Sequence, residues 1–334
     1  LTAAERLRAA ADAASQHALR LIAPDGALDD DACERLWRRF DFPLSAPVLE
    51  PMVRPFAAAL ARQAEAGGAD ALIATLKRRG AAPYAVIGDS HSAQLVRRSS
   101  RNGRWLLPLH WLCHAASARG LSNAEGRSGA SGVVRRALDV SAALDIPAVL
   151  KFGQVDLEFV YAFKRIDEGR WTFDPAHYDA FVDETVARYA DALAVLAPSA
   201  RRRRIAVASV FPPSLSDRAW RNGYVNAAAA DLHASAPGAK DEGVDLRRAV
   251  SRLSIPDLRT RTAAHARFNA RLKAAADALG FSYLDQFQAF LGADGLLRPN
   301  LRGAGGADHH LNFQAARRPT IAGLWGFLGE HGHG

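Results

Sequence analysis

The chain has 334 residues, 49% hydrophobic and 23% charged. That balance is ordinary for a folded globular chain, and the length allows a sizeable core without disulfides or metals. Net charge is +8, yet no basic stretch carries the interleaved aromatics of a single-strand nucleic-acid groove, and no apolar run approaches the ~18 residues of a bilayer span.

In chain order, the first eighty residues read as helical. Ala4 to Ile22 carries an apolar stripe, and Leu36 and Phe40 lie four apart on one face. Met52 to Ala66 and Ala69 to Lys77 continue the trend, with turns at Pro24-Asp25-Gly26 and Gly67-Gly68. This predicts a helical appendage over residues 1–80. From Pro83 the pattern changes to strands alternating with helices. Tyr84 to Ile87, Trp105 to Leu109, Pro147 to Phe152, Ile205 to Phe211 and Phe281 to Leu284 are the five predicted strands. Val133 to Ala143, Tyr178 to Leu196 (opened by Asp174-Pro175) and Ala264 to Leu279 (stopped by Gly280) are predicted helices. Asn312 to Leu328 is the closing helix, with Pro319 expected to kink or delay it.

The alternation predicts an α/β fold over residues 81–334: a three-layer sandwich with a parallel sheet of about five strands, flavodoxin-like in plan. Ser214 to Ile255 breaks the alternation and reads as a lid or substrate-facing insertion. The run Arg201 to Arg204 precedes an apolar strand and reads as its solvated lead-in, not a polyanion site. Cys33 and Cys113 form neither a disulfide framework nor a zinc pattern and read as buried small hydrophobes. The chain begins at Leu1, which fits a processed or trimmed form whose signal peptide would already be gone. Compartment is open, with the cytoplasm favoured.

In open parallel sheets, ligands bind outside the carboxyl ends of the strands. Three polar constellations fall at such ends: Gly88-Asp89-Ser90-His91-Ser92, Gly153-Gln154-Val155-Asp156 and Asp308-His309-His310-Leu311-Asn312. Ser90 sits where a strand turns into a helix, whose free N–H groups favour developing negative charge. A serine is a weak nucleophile until a base takes its proton and an acid fixes that base's tautomer. The third constellation offers both. Asp89 reads as a turn residue bonding local backbone. His91 and Ser92 either line the site or supply an ordinary polar first turn. Asp156 reads as a loop anchor. Arg119, Lys164 and Arg165 read as solvated surface before anion binders, and His110, Trp111 and His114 as packing or rim residues.

Val86 to Ser92 resembles the first block of the SGNH (GDSL-like) hydrolases, in its GDSH variant, and the likeness extends over roughly Tyr84 to Gly329. The resemblance implies an SGNH-like α/β domain with Ser90 as nucleophile and its own N–H as one oxyanion donor. The family's second block, a backbone N–H after the second strand, falls on either Ala116 or Gly120. Its third, Gly-x-Asn-Asp, reads here Gly153-Gln154-Val155-Asp156. The asparagine is replaced, and Gln154 is the one nearby amide. Its last, Asp-x-x-His, makes His310 the base, with Asp308 two residues before it instead of three and His309 as the competing base. The expected substrate is a small-molecule or carbohydrate ester, with a short acyl group. Trp111, Phe159 or the insertion would narrow the site.

No metal or other cofactor, no nucleic-acid partner and no membrane span are expected, and oligomeric state is open. The alternatives are an O-acyltransferase using the same Ser–His pair, a non-catalytic binding module with a degenerate site, and a metal-dependent phosphoesterase. For the last, Asp89-x-His91 resembles the opening of the metallophosphoesterases and Asp308-His309-His310 the DHH signature. The Asn-His-Asp or Asn-His-Glu box of the former is absent.

Overall fold

A computed structural model describes residues 50–123, 129–222 and 248–331. Its centre is a six-stranded sheet of β1 (Ala81–Gly88), β2 (Ser100–Arg101), β3 (Arg104–Leu112), β4 (Ala148–Lys151), β5 (Ile205–Ala208) and β6 (Ser282–Leu284), in the order β2-β3-β1-β4-β5-β6. The five predicted strands pair in parallel. The sixth, β2, is a two-residue antiparallel edge on β3. Asn102 and Gly103 join these two, both at positive φ (52° and 75°), as a tight hairpin turn requires.

Every residue of β1 is buried, which is why its sequence reads as a continuous apolar run rather than an alternation. The period of two instead divides its side chains between two cores. Ala85 and Ile87 join Leu107, Leu109 and Leu150 on one face. Tyr84 and Val86 join Leu106 and Val149 on the other. The first face is covered by α1 (Glu50–Glu65), α2 (Asp70–Arg78), α3 (Ala130–Ala143), α5 (Pro175–Leu196) and α7 (Leu258–Leu279). Leu324, Trp325 and Leu328 of α9 (Arg317–His331) cover the second. Helices on both faces of a mostly parallel sheet are compatible with a three-layer sandwich.

Of the helical region expected over 1–80, residues 1–49 lie outside the described residues. The remainder packs into the sheet's own cores. Phe56, Leu60, Leu72, Ile73 and Leu76 belong to the first, Val53 and Ala57 to the second. Cys33, Leu36 and Phe40 fall outside the described residues; Cys113 is a free, buried cysteine.

Helix limits follow the caps. α5 begins with Asp174 accepting from Ala176 N and Pro175 in its first turn. α7 starts six residues earlier than periodicity suggests because Asp257 caps it through Thr260 N at 2.7 Å. It stops at Gly280, φ 81°. α9 begins at Arg317, so Pro319 sits in its first turn, where a missing N–H costs nothing. β5 ends at Ala208, short of the predicted Phe211. Asn269 clasps Val210 through both its N–H (2.8 Å) and its C=O (3.0 Å) in place of a neighbouring strand. In the Arg201–Arg204 turn, Arg202 donates to Ala194 O and Ala197 O at the end of α5 and to Leu279 O at the end of α7. Arg201 and Arg204 bind Asp145.

Within the expected insertion, residues 223–247 lie outside the described residues. Its flanks, including Leu215, Trp220, Val250 and Leu253, pack on Val155, Phe159 and Ala162. Val155 directly precedes a π-helical turn, Asp156–Val160, that carries Phe159, and Ala162 lies in the α4 (Tyr161–Asp167) that follows it. A separate two-stranded ladder pairs β7 (Arg302–Gly303) with β8 (Asp308–Leu311). Its loop is tied down by Ser214 Oγ, which accepts from Gly303 N at 2.9 Å, and by Ser216 N, which donates to Gly306 O at 2.9 Å. No helix among the described residues is long and apolar enough to cross a membrane.

Candidate active site

The strand order places β1 between β3 and β4, so chain crossovers leave it in both directions. The carboxyl ends of β1 and β4 therefore flank the crevice where doubly wound sheets bind ligands. Gly88 ends β1 there. A Cβ at Gly88 would run into Lys151 O of β4 and the Ser92 side chain, so only glycine lets the chain turn. Asp89 then caps a 3-10 turn, Ser90–Leu95, by accepting from His91 N at 2.8 Å. The helix expected after Ser90 is thus a six-residue 3-10 segment and brings little macrodipole. Ser90 occupies its first position, so its N–H is not used by the turn.

The opposite wall is β8. His310 Nε2 lies 2.8 Å from Ser90 Oγ, and His310 Nδ1 lies 3.0 Å from Asp308 Oδ1. The two-residue spacing works because β8 breaks register here, Gly303 facing Asp308 while Arg302 faces Leu311, and the chain turns on the Asp308 side chain: His310 N donates to Asp308 Oδ1 at 3.0 Å, which brings the ring to the same oxygen. Partial burial alone would raise the Asp308 carboxyl. Hydrogen bonds from the His310 ring and backbone N–H outweigh it and hold the carboxyl below the usual range. His309, the competing base, stacks on His310 with ring centroids 3.9 Å apart and packs edge-on against Phe159 at 5.2 Å. Burial, then the neighbouring His91 and His310 rings, push it down to about 3.

The other expected donors are committed elsewhere. Ala116 N donates to Cys113 O at 3.2 Å, and Gly120 N donates to Ser117 Oγ at 3.0 Å. Gln154 does not replace the missing asparagine. Its amide donates to Glu158 Oε1 (2.7 Å) and Phe211 O (3.3 Å) and accepts from Phe211 N (2.8 Å), latching the β4 loop to the end of β5. Of the expected donors, the N–H of Ser90 is the one with no bond among the described residues. Gly153, at φ 102°, packs so closely on the Phe268 ring that a Cβ would clash. Asp156 is a loop anchor: its two oxygens accept from Ala118 N (2.6 Å) and Arg119 N (3.2 Å). Burial pushes its carboxyl up to about 7 despite those bonds.

His91 is buried, with Nδ1 3.1 Å from Asp89 Oδ1. Its Nε2 has no hydrogen-bond partner among the described residues. Burial outweighs Asp89 and pushes it down to about 4. Ser92 bonds Asp89 O and His110 Nε2 rather than lining the site. Trp111 turns into the core and donates to Glu65. Arg119 and Lys164 pair with Glu184, and Arg165 donates to three carbonyls. None of these basic groups stands as an isolated anion binder.

Sequence reading missed the residues that hold the two walls together. Gln94 Nε2 donates to Leu311 O at 2.8 Å. The fully buried Arg97 donates to Gln94 Oε1 (2.6 Å) and Phe313 O (2.8 Å), its guanidinium 3.5 Å from the Phe313 ring centre. It also missed Lys151, wholly buried, which burial pushes down to about 8 against the pull of Asp89 and Glu158. A long basic residue ending an apolar strand was the available signal. Beyond Glu158 lies an apolar cavity lined by Leu157, Tyr161, Phe173, Tyr178 and Trp220, with Arg261 and His265 at its polar side. No family model and no curated protein matches the chain.

Proposed function

We propose that the chain is an SGNH-type serine hydrolase or acyltransferase acting on an ester of a polar or carbohydrate-like molecule. The observation that carries this reading is the continuous line Ser90 Oγ–His310 Nε2, His310 Nδ1–Asp308 Oδ1 at 2.8 and 3.0 Å. It is the geometry by which an imidazole takes a hydroxyl proton while a carboxylate fixes its tautomer. Ser90 Oγ attacks the ester carbonyl carbon as its proton passes to His310 Nε2. The N–H of Ser90, left open by the turn it begins, is the donor available to the oxyanion. His310 then returns the proton to the leaving alkoxide, and an acyl-serine remains. Water or a second alcohol, deprotonated by His310, releases the acyl group. Phe159, packed on His309, narrows the approach and favours a short acyl chain. The bonded Ser–His pair favours an enzyme over a binding module with a degenerate site.

The test is hydrolysis of p-nitrophenyl acetate by wild type and Ser90→Ala, with EDTA present. Activity that survives EDTA and disappears in the variant supports the reading. Activity retained in Ser90→Ala, or lost from wild type on chelation, contradicts it.

A further inference from the structure

Asp89-x-His91 and Asp308-His309-His310 are 217 residues apart along the chain, counted from His91 to Asp308, yet they meet. One ring nitrogen from each of His91, His309 and His310 lies within 4.8 Å of the other two. The rings are also in contact, with centroids 4.7 Å apart for His91 and His310 and 5.2 Å for His91 and His309.

Two of the three rings, His91 and His310, carry the hydrogen-bonded carboxylate partner that metal-binding histidines have. His91 Nδ1 is 3.1 Å from Asp89 Oδ1. His310 Nδ1 is 3.0 Å, and His309 Nδ1 3.5 Å, from Asp308 Oδ1. A carboxylate on Nδ1 fixes the tautomer that offers Nε2 as a lone pair. For His91 that Nε2 is buried and unpartnered among the described residues, a standing cost in a protein interior.

We infer that His91, His309 and His310 form a binding site for a divalent transition ion of the zinc class, and that its occupancy silences Ser90. Three imidazoles with one open position suit tetrahedral zinc. Donors at ~2.1 Å from the ion sit about 3.4 Å apart, so ring nitrogens now within 4.8 Å of one another close on it by up to about 1.4 Å. His310 binds through Nε2, the atom that otherwise accepts the Ser90 proton. Ion and serine therefore compete for one lone pair. The binding claim stands on the histidines alone; the silencing claim rests on the serine reading.

The full chain, freed of metal, is titrated with Co2+ and followed by the visible absorption of tetrahedral cobalt, which needs no activity. Wild type and Ser90→Ala bind one equivalent, displaced by Zn2+. His309→Gln binds at least ~100-fold more weakly, beyond the ~10–100-fold cost of losing an outer partner. His91→Gln behaves alike, but its site is buried, so His309→Gln carries the test if it misfolds. Zn2+ at the same occupancy slows ester hydrolysis in wild type and loses that effect in His309→Gln. No cobalt spectrum at millimolar metal, or unchanged affinity in His309→Gln, overturns the site. A rate that rises with zinc overturns the silencing. A cobalt spectrum in a chain without Ser90-dependent hydrolysis keeps the site and refutes the proposed function instead.

Discussion

Gly303→Ala isolates the position of His310 from every other property of the site. Gly303 has φ −63° and ψ 131°, a conformation alanine adopts without strain. Its Cβ, however, would come closer than 3.0 Å to His310 O across the β7–β8 ladder, a separation that Cβ atoms essentially never show. Backbone cannot rotate away as a side-chain tip can, so β8 must move by about an ångström to restore van der Waals distance. The Ser90–His310 bond is 2.8 Å, and that displacement carries it past hydrogen-bond reach. A misplacement of this size costs ~100-fold in rate. The assay is kcat/KM for p-nitrophenyl acetate, with thermal melts alongside. Gly305→Ala is the control: it sits in the same loop at φ 67°, but its Cβ meets nothing within 4 Å. It should cost about 1 kcal/mol of stability with activity largely kept. Activity in Gly303→Ala within threefold of wild type would refute the claim that β8 places the base.

Two further outcomes follow from the buried polar groups. Gln94→Ala removes the donor to Leu311 O and the acceptor of Arg97. It should cost about 3 kcal/mol by urea unfolding and lower kcat about tenfold, because the two walls lose their tie; a fall in KM alone would contradict this. Glu158 titrates with the opposite sign from an ordinary ion-paired carboxylate. Burial raises it from 4.5 to about 7, so its contribution to stability is full below pH 4.5 and is lost as pH rises through 7. Glu158→Gln keeps the Gln154 bond without the charge. It should match wild type near pH 4 and exceed it at pH 8 by a few kcal/mol, on the order of the shift converted at 1.36 kcal/mol per unit. A variant less stable than wild type at pH 8 would refute this.

The α/β character was legible because β1 and β4, buried on both faces, are apolar runs up to the terminal Lys151 of β4, and glycines, Gly88 and Gly153, mark where each run ends. The Ser90–His310 pair was legible from its motifs and their order. Asp308 looked displaced because the segment turns on its own side chain: His310 N and His310 Nδ1 both bond Asp308 Oδ1, which makes a spacing of two the productive one. Gln154 was misjudged for a different reason. Its amide is claimed by Phe211, 57 residues away, and no local pattern announces such a partner. Gln94 and Arg97 were invisible on the same ground, since Leu311 and Phe313 lie more than 210 residues beyond them. The β2 edge was too short to leave a periodic signal.

The central claim is that Ser90 is the group that becomes covalently acylated. The direct measurement is the intact mass of the metal-free chain after treatment with a serine-reactive fluorophosphonate, followed by peptide mapping. The account predicts one adduct, on the peptide bearing Ser90, absent from Ser90→Ala and slowed when His310 is replaced by alanine. An unmodified chain, or a label on another serine with Ser90 untouched, would contradict it.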